Sequence, residues 1–338
     1  MNPFVYNCPV RGKDFFNREK TIEKILTETI TGKSQGNIWI TGERQIGKSS
    51  LLRHIQNLNE TTKYKITPYG SQRNLDVAFV YSNVQGCESE EVFFDTLWQN
   101  LKDYFDFKRK KITSGYENFI RGIQEAYSER NFYVLFLIDE FDAFIQTIAY
   151  KDPSNATRFL AKLSSLLQEV DEVNEGSKSF GCVFTANHDM KELLNENLID
   201  SRGSGLIVEA INLKWFTRAQ VQGLAKTYLK DNEIQFSEME IDLCYGATHG
   251  YPYFTQKMMS LMYDARKNIK DEKEYIKLVK QEFGEMFEET LEDWGGDNMP
   301  VRTLKKLRDL VKSWNIGPAI SKVLFTTLEL YIKNKTKL

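Results

Sequence analysis

Asn37-Ile38-Trp39-Ile40-Thr41-Gly42-Glu43-Arg44-Gln45-Ile46-Gly47-Lys48-Ser49-Ser50 is the stretch on which the fold turns. A short run of β character leads straight into Gly-x4-Gly-Lys-Ser, and Leu51-Leu52-Arg53-His54-Ile55 continues with a helical pattern. Strand, glycine loop and helix in that order make the pattern a phosphate-binding loop. The glycines allow backbone conformations that aim successive N–H groups at phosphate oxygens. The helix that follows turns its positive dipole end toward the same anion. Gly42 to Ser50 are therefore the expected nucleotide contacts. Lys48, expected as an exposed side chain, reaches the β- and γ-phosphates, and the Ser49 hydroxyl ligates Mg²⁺.

A second stretch, Val134-Leu135-Phe136-Leu137-Ile138-Asp139-Glu140, is an apolar strand ending in two adjacent carboxylates. Unpaired buried charge is costly, so such a strand must deliver them to a polar edge. Asp139 is expected to hold Mg²⁺, directly or through water, and Glu140 to polarise the water that attacks the γ-phosphate. Asp142, past the strand, reads as a helix-start acid. Phe184-Thr185-Ala186-Asn187 ends the next apolar run with a polar side chain. Ligands of open α/β sheets sit beyond the carboxyl ends of the strands, so Asn187 is a candidate contact for the γ-phosphate or its attacking water. His188 beside it reads as a bystander. Arg202, in the loop Asp200-Ser201-Arg202-Gly203-Ser204-Gly205, is a candidate for stabilising charge on the γ-phosphate, with a solvated loop arginine as the alternative.

Around these motifs, residues 77–84, 132–138, 180–185 and 206–213 are apolar without alternation, as suits strands covered on both faces. Helical patterns over 90–105, 116–129 and 157–170 lie between them, so residues 36–214 are expected to form a three-layer α/β core around a parallel sheet. The polar segment 59–76, with Pro68 and Gly70, reads as a loop. An amphipathic stretch, 19–30, precedes the core. After about residue 215 the β signal stops, and residues 215–293 are expected to form a helical domain. Trp294-Gly295-Gly296-Asp297 and Pro300 mark a boundary, with helices expected over 300–338.

The 338 residues allow roughly two domains, and 41% hydrophobic with 13% aromatic residues exclude disorder as the main state. No apolar run approaches the ~20 residues that span a bilayer. Cys8, Cys87, Cys182 and Cys244 form no CxxC pair, which argues against zinc or a disulfide framework and for a reducing, cytoplasmic setting. The net charge of −2 conceals a split: residues 281–297 hold seven acids and no base, and residues 301–338 nine bases and two acids. Solvated helix faces are the ordinary meaning. A basic segment docking an acidic protein or nucleic-acid phosphates is the alternative. The run Lys108-Arg109-Lys110-Lys111 reads as an exposed helix end.

Together the motifs resemble the ASCE division of P-loop ATPases, marked by the glutamate beside the second-motif aspartate. Within it the chain looks like the AAA+-related STAND ATPases and the archaeal initiator-type ATPases. The resemblance implies a five-stranded parallel sheet of order 5-1-4-3-2 and a helical lid over the nucleotide. Asn2-Pro3-Phe4-Val5-Tyr6 with Asp14-Phe15-Phe16-Asn17-Arg18-Glu19 is similar to the family's N-terminal adenine-site motif, which assigns residues 1–35, and Phe16 and Arg18 in particular, to the nucleotide. Asn17 stands where the family has glycine, and asparagine also tolerates left-handed backbone. Thr248-His249-Gly250-Tyr251-Pro252 resembles the lid's Gly-x-Pro element, which adds Pro252 to the expected contacts. The 38 residues from Val301 onward are too few for the family's winged-helix domain. The resemblance implies ATP and ADP as ligands, with Mg²⁺, and an ATP-gated switch that works by conformational change or assembly into a homo-oligomer, Arg202 reaching a neighbouring subunit. A non-hydrolysing, nucleotide-clamped interaction module and an ATP-dependent nucleic-acid-binding factor are the alternatives.

Overall fold

A computed structural model describes residues 2–4, 6, 8–10, 15–31, 36–67, 74–107, 114–168, 180–197, 199, 209–293, 301–312, 328, 329 and 332. Arg202, the 108–111 basic run, Pro68, Gly70 and the 294–300 boundary lie outside the described residues, as does most of 313–338. The chain clusters into two compact units, one of Arg18–Gly42 and Lys48–Leu213, the other of Met1–Asn17, Glu43–Gly47 and Lys214–Leu338.

The first unit is built on a sheet of β1 (Ile38–Thr41), β2 (Lys65–Ile66), β3 (Leu75–Asn83), β4 (Phe132–Asp139), β5 (Phe180–Ala186) and β6 (Glu209–Asn212). Its helices are α1 (Glu19–Leu26), which runs into a π turn over Thr27–Thr31, then α2 (Lys48–Thr61), α3 (Glu90–Phe105), α4 (Gly115–Ser128), α5 (Phe141–Lys151), α6 (Pro153–Gln168) and α7 (Met190–Glu196). The expectation of five parallel strands in the order 5-1-4-3-2 needs correction. The sheet is mixed and six-stranded, in the order β2-β3-β4-β5-β1-β6. The additional strand is two residues long and pairs antiparallel with β3, Lys65 opposite Asp76 and Ile66 opposite Leu75. It lies in the segment read as loop, because two residues are too few to carry a periodicity.

Register fixes where the chemistry goes. Thr41 pairs with Ala186, Ile138 with Phe184, and Asn83 with Asp139. Gly42, Asp139, Glu140 and Asn187 thus emerge at one carboxyl edge of the sheet, on neighbouring strands. Helix layers bury the strands between, and Tyr133 to Asp139 are all buried. Phe93 of α3 stacks on Phe144 of α5 at 4.9 Å and meets Phe159 of α6 edge-on at 5.0 Å. That cluster ties three helices together, and truncating such a ring costs about 3–5 kcal/mol. Ser89 and Ser114 cap α3 and α4 by accepting from Val92 N–H and Glu117 N–H.

The second unit holds α8 (Arg218–Tyr228), α9 (Glu238–Thr248), α10 (Pro252–Asn268), α11 (Glu272–Asp293) and α12 (Val301–Lys312). Thr217 with Gln220, and Ser237 with Glu240, form capping boxes that start α8 and α9. The extreme N-terminal segment packs here. Phe4 stacks on Tyr228 at 5.5 Å, and the Asn2 amide donates to Ser260 and Asp264 on α10. The segment 1–35, read as one piece, is divided between the units after Asn17.

Gly250 joins α9 to α10 in a space no side chain can share. Its φ is +78°, and a Cβ there would stand 1.8 Å from the Phe216 carbonyl oxygen, while Phe216 N–H donates to the Gly250 carbonyl at 2.7 Å. Gly250→Ala is expected to destabilise this unit by at least about 3 kcal/mol, read as a lower first thermal transition in far-ultraviolet circular dichroism. An unshifted transition would contradict the packing described.

Candidate functional site

The glycine loop has the backbone its sequence demands. Gly47 sits at φ +102° with open space where a Cβ would go, so conformation rather than crowding requires glycine there. Gln45 is left-handed at φ 57°. Three of the loop's carbonyls are engaged within the protein. Gly42 accepts from Lys48 Nζ at 2.9 Å, Glu43 from Ile46 N–H at 3.2 Å, and Arg44 from the Tyr251 hydroxyl. Carbonyls that accept within the protein are turned away from the space in which loop amides would meet an anion.

Lys48 departs from expectation. It is 5% exposed, and its ammonium donates to the Gly42 carbonyl and, at 2.9 Å, to Asn187 Oδ1. An ammonium folded under the loop needs acceptors to offset lost hydration, and these two supply them. Two predicted site residues from distant parts of the sequence are thus in direct contact.

Asp139 is 1% exposed and held by two hydroxyls, Thr185 Oγ1 on Oδ1 at 2.5 Å and Tyr81 OH on Oδ2 at 2.7 Å. Tyr81 is pushed well above the ordinary phenol range by burial and by the adjacent Asp139; the Arg53 guanidinium lies 3.4 Å over its ring. Thr185 Oγ1 also accepts the Glu140 N–H at 3.2 Å. One hydroxyl therefore orients Asp139 and fixes the backbone of Glu140, which turns left-handed (φ 60°, ψ 39°) at the start of α5. Tyr81 and Thr185 were not singled out from sequence; inside continuous apolar runs nothing distinguishes an orienting hydroxyl from a core one.

Asp142 corrects the reading of it as an ordinary helix-start acid. It is buried, and its Oδ2 accepts the Asn187 backbone N–H at 2.7 Å and faces His188 Nδ1 at 3.3 Å. Burial pushes its carboxyl up. Contacts with His188 and the Asn187 N–H, and the charge of Lys48, outweigh that and hold it below the usual carboxylate range. His188, read as a bystander, is part of this contact. The signal available in sequence was spacing, since Asp142 shares a face with the buried Ile145 and Ala149.

Ser49 and Ser50 occupy the first turn of α2. Arg18 is the residue immediately before α1, in the sheet unit. Phe16 lies in the helical unit, edge-on to Phe216 at 6.2 Å. Asn17 between them has φ 57°, the geometry expected of an asparagine in a glycine's place. Pro252 is the first residue of α10.

Asp139, with lone pairs beyond the two its hydroxyls use, and the Ser49 hydroxyl are hard oxygen donors of the kind Mg²⁺ takes. Among the described residues no group of three or more acidic, histidine or cysteine side chains could hold a metal. Two protein oxygens plus phosphate oxygens fit the habit of Mg²⁺ bound with a nucleotide.

A glycine loop after β1, a carboxylate pair at the end of β4 and a polar tip after β5 stand together, in the arrangement expected of a P-loop nucleotide site. Residues 30–194, just under half of the chain, match the profile of a family described as AAA domain. That match agrees with the resemblance read from the motifs. No curated protein matches the sequence. Among solved structures the chain is similar to Cdc6p of Pyrobaculum aerophilum, at 17% identity and TM-score 0.54, over 98% of this chain and 88% of that one. It is also similar to the ORC2 protein of Aeropyrum pernix with ADPNP and ADP, at 14% identity and TM-score 0.58, over 99% and 89%. The ORC1 protein of the same organism, in complex with DNA, matches at 14% identity and TM-score 0.52, over 93% and 77%. At these identities the likeness is one of fold. No described helix is long and apolar enough to cross a membrane.

Proposed function

We propose that this chain binds and hydrolyses Mg-ATP and acts as a nucleotide-driven switch. The observation that carries the reading is the hydrogen-bonded chain Gly42–Lys48–Asn187–Asp142 beside Asp139–Thr185–Glu140, all at one sheet edge. The loop amides and Lys48 bind and orient the phosphates. Asn187, anchored to Lys48, holds the γ-phosphate or its attacking water in this reading, and Glu140 takes the proton that water gives up. Ser49 and Asp139 would hold Mg²⁺, which offsets charge on the phosphates when bound. Phe16, Arg18 and Pro252 are assigned to the adenine side on family resemblance. A second reading concerns the partner: the basic character of residues 301–338, and the fold shared with an ORC1 protein in complex with DNA, support a nucleic acid over an acidic protein.

Arg202 tests whether the switch assembles. With Arg202 reaching the next subunit, turnover per subunit rises with protein concentration, and Arg202→Ala flattens that rise without weakening ATP binding. Mixing Arg202→Ala with Glu140→Gln restores part of the activity, each supplying what the other lacks. Concentration-independent turnover and an inactive mixture would make the protein a self-contained monomeric switch.

A further inference from the structure

We propose that Asp142 is a positioning residue for Asn187, holding its backbone so that its side chain meets Lys48; the inference rests on the ATPase reading and adds a residue to it. Asn187 is the first residue past β5. The last β4–β5 pair is Ile138 with Phe184, so its N–H lies beyond that ladder. Asp142 supplies the acceptor, at 2.7 Å. The Asn187 side chain then reaches Lys48 Nζ, which in turn is fastened to the Gly42 carbonyl of the phosphate loop. Displacing one backbone N–H therefore loosens the side chain that steadies the phosphate-binding lysine.

A helix-start acid that merely complements the α5 dipole gains nothing from burial. Asp142 is 1% exposed. Oδ2 carries both of its contacts, while Oδ1 has no hydrogen-bond partner among the described residues. What offsets its desolvation comes from the site: the Asn187 N–H and His188 just past β5, and the charge of Lys48.

The test compares variants in steady-state turnover and in the amide spectrum of protein labelled with ¹⁵N-asparagine. Asp142→Ala is expected to lower kcat by about ten- to hundredfold, as Asn187→Ala does, with KM within about twofold. Asp142→Asn, which keeps an oxygen for the N–H, recovers most of the loss. The double variant Asp142→Ala/Asn187→Ala is no slower than Asn187→Ala, because residues acting through one another do not add. In the spectrum, the signal lost in Asn187→Ala shifts and exchanges faster in Asp142→Ala and stays in place in Asp142→Asn. Should Asp142→Ala not fold, Asp142→Ser, too short to reach, carries the same expectation. Multiplying losses in the double variant, no recovery by Asp142→Asn, or an unmoved amide signal would overturn the proposal. Wild-type turnover no faster than that of Glu140→Gln would instead fail the ATPase reading, and the amide signal would then decide on Asp142 alone.

Discussion

Glu140→Gln binds Mg-ATP as tightly as the wild type and hydrolyses it at least about 10²-fold more slowly, the scale of a lost general base. The side chain keeps its size, and the backbone N–H held by Thr185 Oγ1 at 3.2 Å is untouched by the substitution. Asp139 keeps both of its hydroxyl donors, so Mg²⁺ and nucleotide affinity are preserved. Only the capacity to accept a proton is gone. Phosphate release under saturating ATP, beside a titration of ATP affinity, separates the two effects. Turnover close to wild type would remove Glu140 from its role. A wild type as slow as the variant would favour a nucleotide-clamped module that does not hydrolyse.

What could be read in the sequence followed from how much pattern each element carries. The strands on which the site hangs are long apolar runs: residues 132–138 and 180–185 became β4 (Phe132–Asp139) and β5 (Phe180–Ala186). α3, over Glu90–Phe105, coincides with its predicted span, because a serine cap and an apolar stripe mark its start and face. The two-residue β2 carries no such pattern. α5 follows β4 after a single residue, so its apolar positions merge with those of the strand. The loop, the carboxylate pair and Asn187 were legible because their chemistry is attached to a strand end. Their mutual geometry was not. That Lys48 is buried against Asn187, that Thr185 serves both Asp139 and Glu140, and that Asp142 faces Asn187 are consequences of register between strands remote in sequence. The division after Asn17 is likewise a matter of tertiary packing, Phe4 and Phe16 finding aromatic partners on or beside α8.

Lys48→Ala has the largest effect on binding. The lysine's charge-assisted contacts with phosphate are each worth about 1.5–3 kcal/mol, and every 1.4 kcal/mol is tenfold in affinity. The variant also leaves the Gly42 carbonyl and Asn187 Oδ1 without the ammonium they share, so the loop loses its restraint together with its charge. A loss of about 10²-fold or more in ATP affinity is expected, with the helical content of the fold retained. The most direct test of the account is therefore the dissociation constant of Mg-ATP for wild type and Lys48→Ala, measured by titration calorimetry on protein whose circular dichroism is unchanged. Saturable binding by the wild type that is abolished or weakened at least a hundredfold in the variant is the predicted result. Equal dissociation constants for the two, or no binding by the wild type, would contradict it.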